Sequence, residues 1–300
     1  MTAVVEVPVT FDDRAFEAFA TALAAAGPGA RVLVDAHATE WASPFGLVSL
    51  LCAGQAVRER TGSKALLTVP ADKDVAAYWA RTGFFQEAEE LFEIHGAVPK
   101  VRQPPENTVL LEVTPVRVAG DVHKVVDRIQ DRSAAILATE LGLEAKATLS
   151  FGMALSEACQ NIVEHAGTGG WVAVHAYTWR RRLGKRVVVI AVADPGVGFR
   201  RSLEPTQARR YGDRWGDGAA LEAALIQGVS RFREPGRGQG FRGIRKYLDR
   251  WEGKISIRSG TARIAMVRDW DEDVPLREGL APFPGAQLQL VIPAQAEAEP

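Results

Sequence analysis

The sequence predicts two domains: an N-terminal α/β unit and a C-terminal α+β unit whose helices gather on one face of a mixed or antiparallel sheet. Three observations lead there. The chain has 300 residues, above the size at which a single core usually suffices. Lys100-Val-Arg-Gln-Pro-Pro-Glu-Asn107 interrupts the periodic patterns, because two adjacent prolines lack backbone donors and disfavour helix. Before this punctuation strand and helix patterns alternate, whereas after it one strand and two helices come first and most strands later. The boundaries that follow are 1–101, a linker at 102–107, 108–293 and a disordered tail at 294–300.

Each element has its own signal. Phe16, Phe19 and Leu23 fall at helical spacing within Phe11 to Ala26, and Gly27-Pro28-Gly29 ends that helix. Arg31 to Asp35 reads as a buried strand. Pro44 to Arg60 fits a helix with Leu47, Leu50 and Leu51 inward. Ala65 to Val69 is the next strand and Val75 to Arg81 the next helix. The second unit opens with a strand at Val109 to Val118, then helices at Asp121 to Leu141 and Ala145 to Ala166. Strands at Trp171 to Trp179 and Lys185 to Ala193 flank the turn Arg180-Arg-Arg-Leu-Gly184, a hairpin pattern. Helices at Gly218 to Arg231 and Ile244 to Trp251, and strands at Lys254 to Arg258, Ala262 to Val267 and Gln287 to Ile292, complete the reading.

Composition narrows the class. Hydrophobic residues at 47% and charged residues at 24% are ordinary for a globular chain. The net charge of −1 argues against a whole-chain polyanion binder, but it hides an asymmetry. Residues 1–107 hold 9 basic and 14 acidic residues, a net of −5, and residues 108–300 hold 27 and 23, a net of +4. Two cysteines, Cys52 and Cys159, exclude a disulfide framework, and their apolar helix faces suit buried, inert thiols. The apolar run Val187 to Ala193 is too short to cross a bilayer. Met1 to Phe11 lacks the pattern of a secretory leader, so a cytoplasmic location is expected.

Three constellations could carry chemistry. Glu157, Asn161 and His165 recur every four residues on one predicted helix face. A carboxylate one turn from a carboxamide can position water and a hard cation; the same spacing fits a solvated polar face. Asp194-Pro-Gly-Val-Gly198 ends an apolar strand. The carboxylate can accept from an exocyclic amine while the glycines allow close approach, and the same residues fit a plain turn. Gly236-Arg-Gly-Gln-Gly240-Phe-Arg-Gly243 leads into a helix, where free backbone N–H groups bind phosphate. Gly238, Gly240 and Gly243 spell GxGxxG, but a polar stretch rather than a strand precedes them, against a Rossmann site. No GxxxxGK[ST] loop occurs.

Taken in order, these segments resemble the GHKL (Bergerat) ATP-binding fold of gyrase, histidine kinases and anti-sigma serine kinases. Leu155-Ser-Glu-Ala-Cys-Gln-Asn-Ile-Val-Glu-His-Ala166 is similar to its N box, Asp194-Pro-Gly-Val-Gly-Phe199 to its G1 box and Gly236 to Gly243 to its G2 box. The resemblance spans roughly residues 115–293. It implies that Asn161 coordinates Mg²⁺ bridging the phosphates and that Asp194 binds the adenine amino group. Gly196 and Gly198 would shape the nucleoside pocket, while Gly236, Gly238, Gly240 and Gly243 would meet the phosphates. Gly212 to Arg233 would form a mobile lid. Glu157 sits where the family places a general base. Gly285-Ala286 stands where the family often has Gly-Thr, which removes a hydroxyl from the adenine site. The Glu-Ala-x-x-Asn-x-x-x-His-Ala pattern is closest to the anti-sigma branch. His123 lies on the fold's own first helix rather than on a phosphoacceptor hairpin.

Val32-Leu-Val-Asp35 followed by Ala42-Ser-Pro-Phe-Gly-Leu47 resembles the STAS domain of anti-anti-sigma factors. Phe45 then occupies the position of the phosphorylated serine, with Ser43 out of register. A docking or intramolecular regulatory role follows in place of the phosphorylation switch.

The function these resemblances imply is a bacterial cytoplasmic regulatory protein that binds Mg-ATP. ATP hydrolysis or anti-sigma-like serine/threonine kinase activity would control partner binding. The alternative is a non-catalytic, nucleotide-gated interaction module. The expected partners are ATP and a regulatory protein of sigma-factor or STAS type, with a homodimer left open. Neither a membrane nor nucleic acid is expected; the cations Arg180 to Arg182, Lys185 and Arg186 fit a solvated hairpin tip.

Overall fold

In the computed structural model the residues described are 2–27, 29–101, 108–128, 145–162, 166–180, 183–229 and 240–294. The expected linker at 102–107, most of the tail and the second half of the helix expected over 121–141 fall outside them.

The first strands are β1 (Thr2–Glu6) and β2 (Thr10–Phe11), followed by helix α1 (Phe16–Ala25). The helix starts five residues later than the spacing predicts. Asp12 Oδ1 accepts from the N–H groups of Arg14 and Ala15, which turns the chain there, and Phe11 is left to a strand. Next come β3 (Arg31–Asp35), β4 (Trp41–Ala42), α2 (Pro44–Thr61), β5 (Ala65–Thr68), α3 (Lys73–Arg81), α4 (Phe84–Ala88) and β6 (Phe92–His95). Local chemistry sets several boundaries. Ser43 caps α2 by accepting from Gly46 N, Pro44 occupies its first turn, and Gly62 closes it at φ +72°. Asp72 caps α3 through Asp74 N and Val75 N. Strands β1, β3, β5 and β6 form one parallel sheet in the order β1-β3-β5-β6, and β2 pairs with β4.

The rest of the chain contributes β7 (Val109–Val116), a helical stretch over 119–128 (α5), α6 (Ala145–Asn161), β8 (Gly170–Thr178) and β9 (Arg186–Asp194). Then follow α7 (Gly198–Tyr211), α8 (Asp217–Leu225), α9 (Gly240–Arg250), β10 (Lys254–Gly260), β11 (Ala262–Ala265), β12 (Leu276–Arg277) and β13 (Phe283–Pro293). These strands make a seven-stranded antiparallel sheet in the order β12-β11-β10-β13-β9-β8-β7. Helix α7 was not expected, because Pro205 and a run of charges mask its period.

Strand alternation gives this sheet two different faces. One carries Val172, Val174, Val188, Ile190, Val192, Leu288 and Leu290, and packs in one apolar cluster with Leu155, Cys159, Ile162, Leu221, Ile244 and Leu248 from the helices. The other presents Trp171, Ala173, Ala191 and Ala193, which share a second cluster with α1, α2 and the parallel sheet. Helix α2 packs against β8, β9 and β13 on one side and β5 on the other. Residues 44–54 are therefore all buried, where the sequence reading expects Leu47, Leu50, Leu51 and Cys52 to face inward. A helix apolar all round lies inside a core, not on its surface. Small residues make the close approach possible: a Cβ on Gly46 would overlap Phe11, and one on Gly54 the ring of Phe92.

Polar contacts cross the same seam. Arg258, 1% exposed, pairs with Glu17 at 3.2 Å. Lys254 pairs with Asp271, with Asp273 at 2.8 Å and with Asp13 at 3.6 Å. Arg263 joins Asp13 at 3.3 Å and also meets Asp273. Trp171 Nε1 donates to Glu87 at 3.0 Å. Among the described residues no helix is long and apolar enough to cross a membrane.

Candidate nucleotide site

Strand β9 is central in its sheet and apolar for most of its length, so it carries Asp194 to the sheet end as a buried carboxylate. Burial pushes the Asp194 pKa up to about 7, opposed by backbone N–H donors from Gly196 and Ala286. The Gly196 bond is 2.9 Å. Ala286 faces Asp194 across the β9–β13 ladder. A main-chain donor thus meets the carboxylate at Ala286, whose side chain offers no hydroxyl.

The loop after Asp194 is shaped by close packing. A Cβ on Gly196 would overlap the backbone of Ala166. Gly198 has φ +72°, and Gly285, at φ +68°, lies so close to Asp194 that a Cβ would collide with its carbonyl oxygen.

A pocket opens in front of this loop. Ala158, Asn161 and Ile162 line it from α6, Val192 and Asp194 from β9, Gly198, Phe199 and Ser202 from α7, and Phe241 from α9. Ala286 and Leu288 close it from β13. The Nδ2 of Asn161 is buried and has no hydrogen-bond partner among the described residues, so its carboxamide has unused polar capacity at the pocket wall. Glu157 is half-buried one turn before Asn161 and does not line the pocket.

The structure therefore brings Asn161, Asp194 and Gly198 to one cavity, with Gly196 shaping its loop. Helix α9 begins at Gly240, four residues before the helix expected at Ile244, which puts Gly240 and Gly243 in its first turn. The first-turn N–H groups of a helix lack intrahelical partners. Gly236, Gly238 and His165 lie outside the described residues. The segment expected to be a mobile lid, Gly212 to Arg233, contains α8. Ala220, Leu221 and Leu225 are buried, and Asp217 accepts from Thr261 N at 2.8 Å and Thr261 Oγ1 at 2.7 Å. Residues 217–225 therefore belong to the packed fold, and the helix stops at Leu225 rather than Arg231.

Asn161 offers a hard oxygen of the type Mg²⁺ accepts, and among the described residues no cluster of three or more His, Cys, Asp or Glu could hold a metal by itself. This donor set fits a cation that keeps waters and is carried in by phosphate oxygens. Cys52 and Cys159 are buried; burial pushes the Cys159 thiol up to about 12, as expected for an inert thiol.

Ser259, which donates to Gly285 O and accepts from Phe199 N beside the Asp194 loop, is a neighbour that pattern reading missed. Ser259 interrupts an alternation it would otherwise continue, and only the fold shows what its hydroxyl meets.

The family model of the histidine kinase-like ATPase domain matches residues 122–241, two fifths of the chain. The match supports a GHKL-type ATPase domain in a mixed α/β protein. No curated protein matches the chain.

Proposed function

We propose that the chain binds Mg-ATP in the pocket between α6, α9 and the seven-stranded sheet and acts as a regulatory protein. One observation carries this reading: the buried carboxylate of Asp194 and the carboxamide of Asn161, whose buried Nδ2 has no partner among the described residues, line the same cavity, inside the segment similar to a histidine kinase-like ATPase domain. Asp194 would accept from the adenine amino group. Asn161 would hold the cation, which when bound neutralises phosphate charge. The first turn of α9 would direct N–H groups toward the phosphates. Calorimetry with ATP and Mg²⁺ tests the reading: saturable binding is expected, and heat indistinguishable from dilution would refute it.

In this reading the chain divides into a STAS-like unit at 1–101 and an ATP-binding unit at 108–293. The STAS-like unit works within the molecule. Phe45, at the acceptor position, is buried with its ring 5.4 Å from that of Phe16, so that side chain serves packing. ATP turnover or phosphotransfer to a serine of a sigma-factor or STAS-type partner would make Glu157 the base that orients the attacking hydroxyl. A second reading, a nucleotide-gated interaction module without turnover, is favoured by the position of Glu157 outside the pocket lining. Release of phosphate by the purified protein, alone or with such a partner, separates the two.

A further inference from the structure

The neighbours Arg258 and Ser259 point to opposite faces of β10, and both grip the chain where β13 begins. On the face toward α1, the Arg258 guanidinium holds both Glu17 carboxylate oxygens at 3.2 Å and lies 5.4 Å from the Phe16 ring and 5.5 Å from the Phe283 ring. It also donates to Gly260 O at 2.9 Å and to Ala281 O. On the pocket side, the buried Ser259 hydroxyl donates to Gly285 O at 2.8 Å and accepts from Phe199 N at 3.1 Å.

The register explains why this point matters. Ser259 pairs with Ala286 and Gly260 with Phe283, so Pro284 and Gly285 form a bulge between them. Bulges re-aim the chain at sites. This one brings Gly285 against Asp194 and sets the Ala286 N–H on the Asp194 carboxylate. Phe199 opens the helix directly after the Asp194 loop. One hydroxyl thus ties together the two backbone segments that frame the carboxylate, and one guanidinium holds Ala281 and Phe283, just before the bulge, against α1.

We propose that Arg258 and Ser259 are paired positioning residues of the nucleotide pocket, so that helix α1 sets the geometry of the Asp194 loop. The inference rests on the ATP reading and adds to it a route by which the N-terminal residues regulate that site. A nearby group that touched no nucleotide-facing backbone would influence stability alone; this pair bears on adenine recognition itself.

The test is calorimetric titration of ATP and GTP, each with Mg²⁺, into the full-length wild type, Ser259→Ala, Glu17→Ala, the double variant and Arg31→Ala. Arg31 forms an exposed pair with Glu93 on the parallel sheet and serves as the control. Loss of Glu17 unpairs the buried Arg258 cation, so urea unfolding of every variant accompanies the titration, and affinities are compared at temperatures where each variant is folded. Each single variant should weaken ATP binding about fivefold or more and narrow the preference for ATP over GTP. The double variant should lose much less than the product of the two single effects, because both act on the start of β13. Arg31→Ala should bind as wild type. Wild-type ATP affinity in either single variant, or effects that multiply, overturns the pairing and leaves the ATP reading intact. A wild type that binds neither nucleotide overturns the ATP reading and the pairing with it.

Discussion

The Tyr78 hydroxyl and the His175 Nδ1 share a hydrogen bond of 2.9 Å, although the residues are 97 positions apart and sit on α3 and β8. Both side chains lie at the seam between the N-terminal elements and the antiparallel sheet. Burial holds the imidazole pKa down to about 3, so the ring is neutral across the working range. Tyr78→Phe leaves a buried ring nitrogen without its partner and should destabilise the chain by about 1–2 kcal/mol, read from urea unfolding.

The same histidine predicts an acid limb. Its folded pKa lies below its unfolded value of 6.5, so its contribution is fully present above pH 6.5 and is lost as pH falls toward 3. His175→Phe should flatten the loss of stability over that window in thermal melts.

Asp194 has the opposite sign. Its folded pKa of about 7 lies above the ordinary value of 3.8, so the neutral form favours folding. That contribution is complete below about pH 3.8 and is lost as pH rises toward 7. Asp194→Asn should therefore stabilise the nucleotide-free protein at pH 8, by at most about 4 kcal/mol on the usual conversion of pKa shift to free energy. The gain should shrink steadily toward pH 4. The same variant should lose ATP binding, whereas wild-type affinity should itself fall as pH drops below 7 and the carboxylate takes up its proton.

Asn161→Ala should weaken nucleotide binding in the presence of Mg²⁺ by about tenfold, a loss within the range for a charge-assisted contact. The effect should largely vanish when Mg²⁺ is chelated. Titration with and without the metal measures both, and an unchanged affinity with Mg²⁺ would remove Asn161 from the site. Glu157→Gln should keep the affinity and abolish turnover if the chain is an enzyme.

Residues 108–300 expressed alone should fail to give a soluble monomer. Removing the N-terminal elements uncovers Trp171, Ala173, Ala191 and Ala193 and takes Glu17 from Arg258 and Asp13 from Arg263. Exposed apolar patches of this kind associate. Size-exclusion chromatography of the fragment beside the full chain is the check.

Several elements were legible before any coordinates. Local signals suffice where a residue's role depends on its near neighbours. Gly27-Pro28-Gly29 ends α1, alternation and turn residues mark β8 and β9, and Asp194 follows an apolar strand. The three boxes around Asn161, Asp194 and Gly240 were legible only through their resemblance to the GHKL fold, and the structure brings Asn161 and Asp194 to one cavity. Helix α7 was hidden by Pro205 and its charges, and the start of β13 was hidden by the bulge at Pro284 and Gly285, which breaks the period of two.

The sequence by itself determined the strand and helix inventory in outline, the acidic and basic halves, and the candidate nucleotide residues, since each depends on chemistry within a few positions along the chain. Only the tertiary structure decided that residues 44–54 of α2 are buried between two sheets, that Arg258 and Ser259 hold the start of β13 from opposite faces of β10, and that Glu157 stands clear of the pocket lining. Those outcomes depend on which distant segments meet, and burial, pairing and a positive φ at Gly285 acquire their meaning only when both partners are in place.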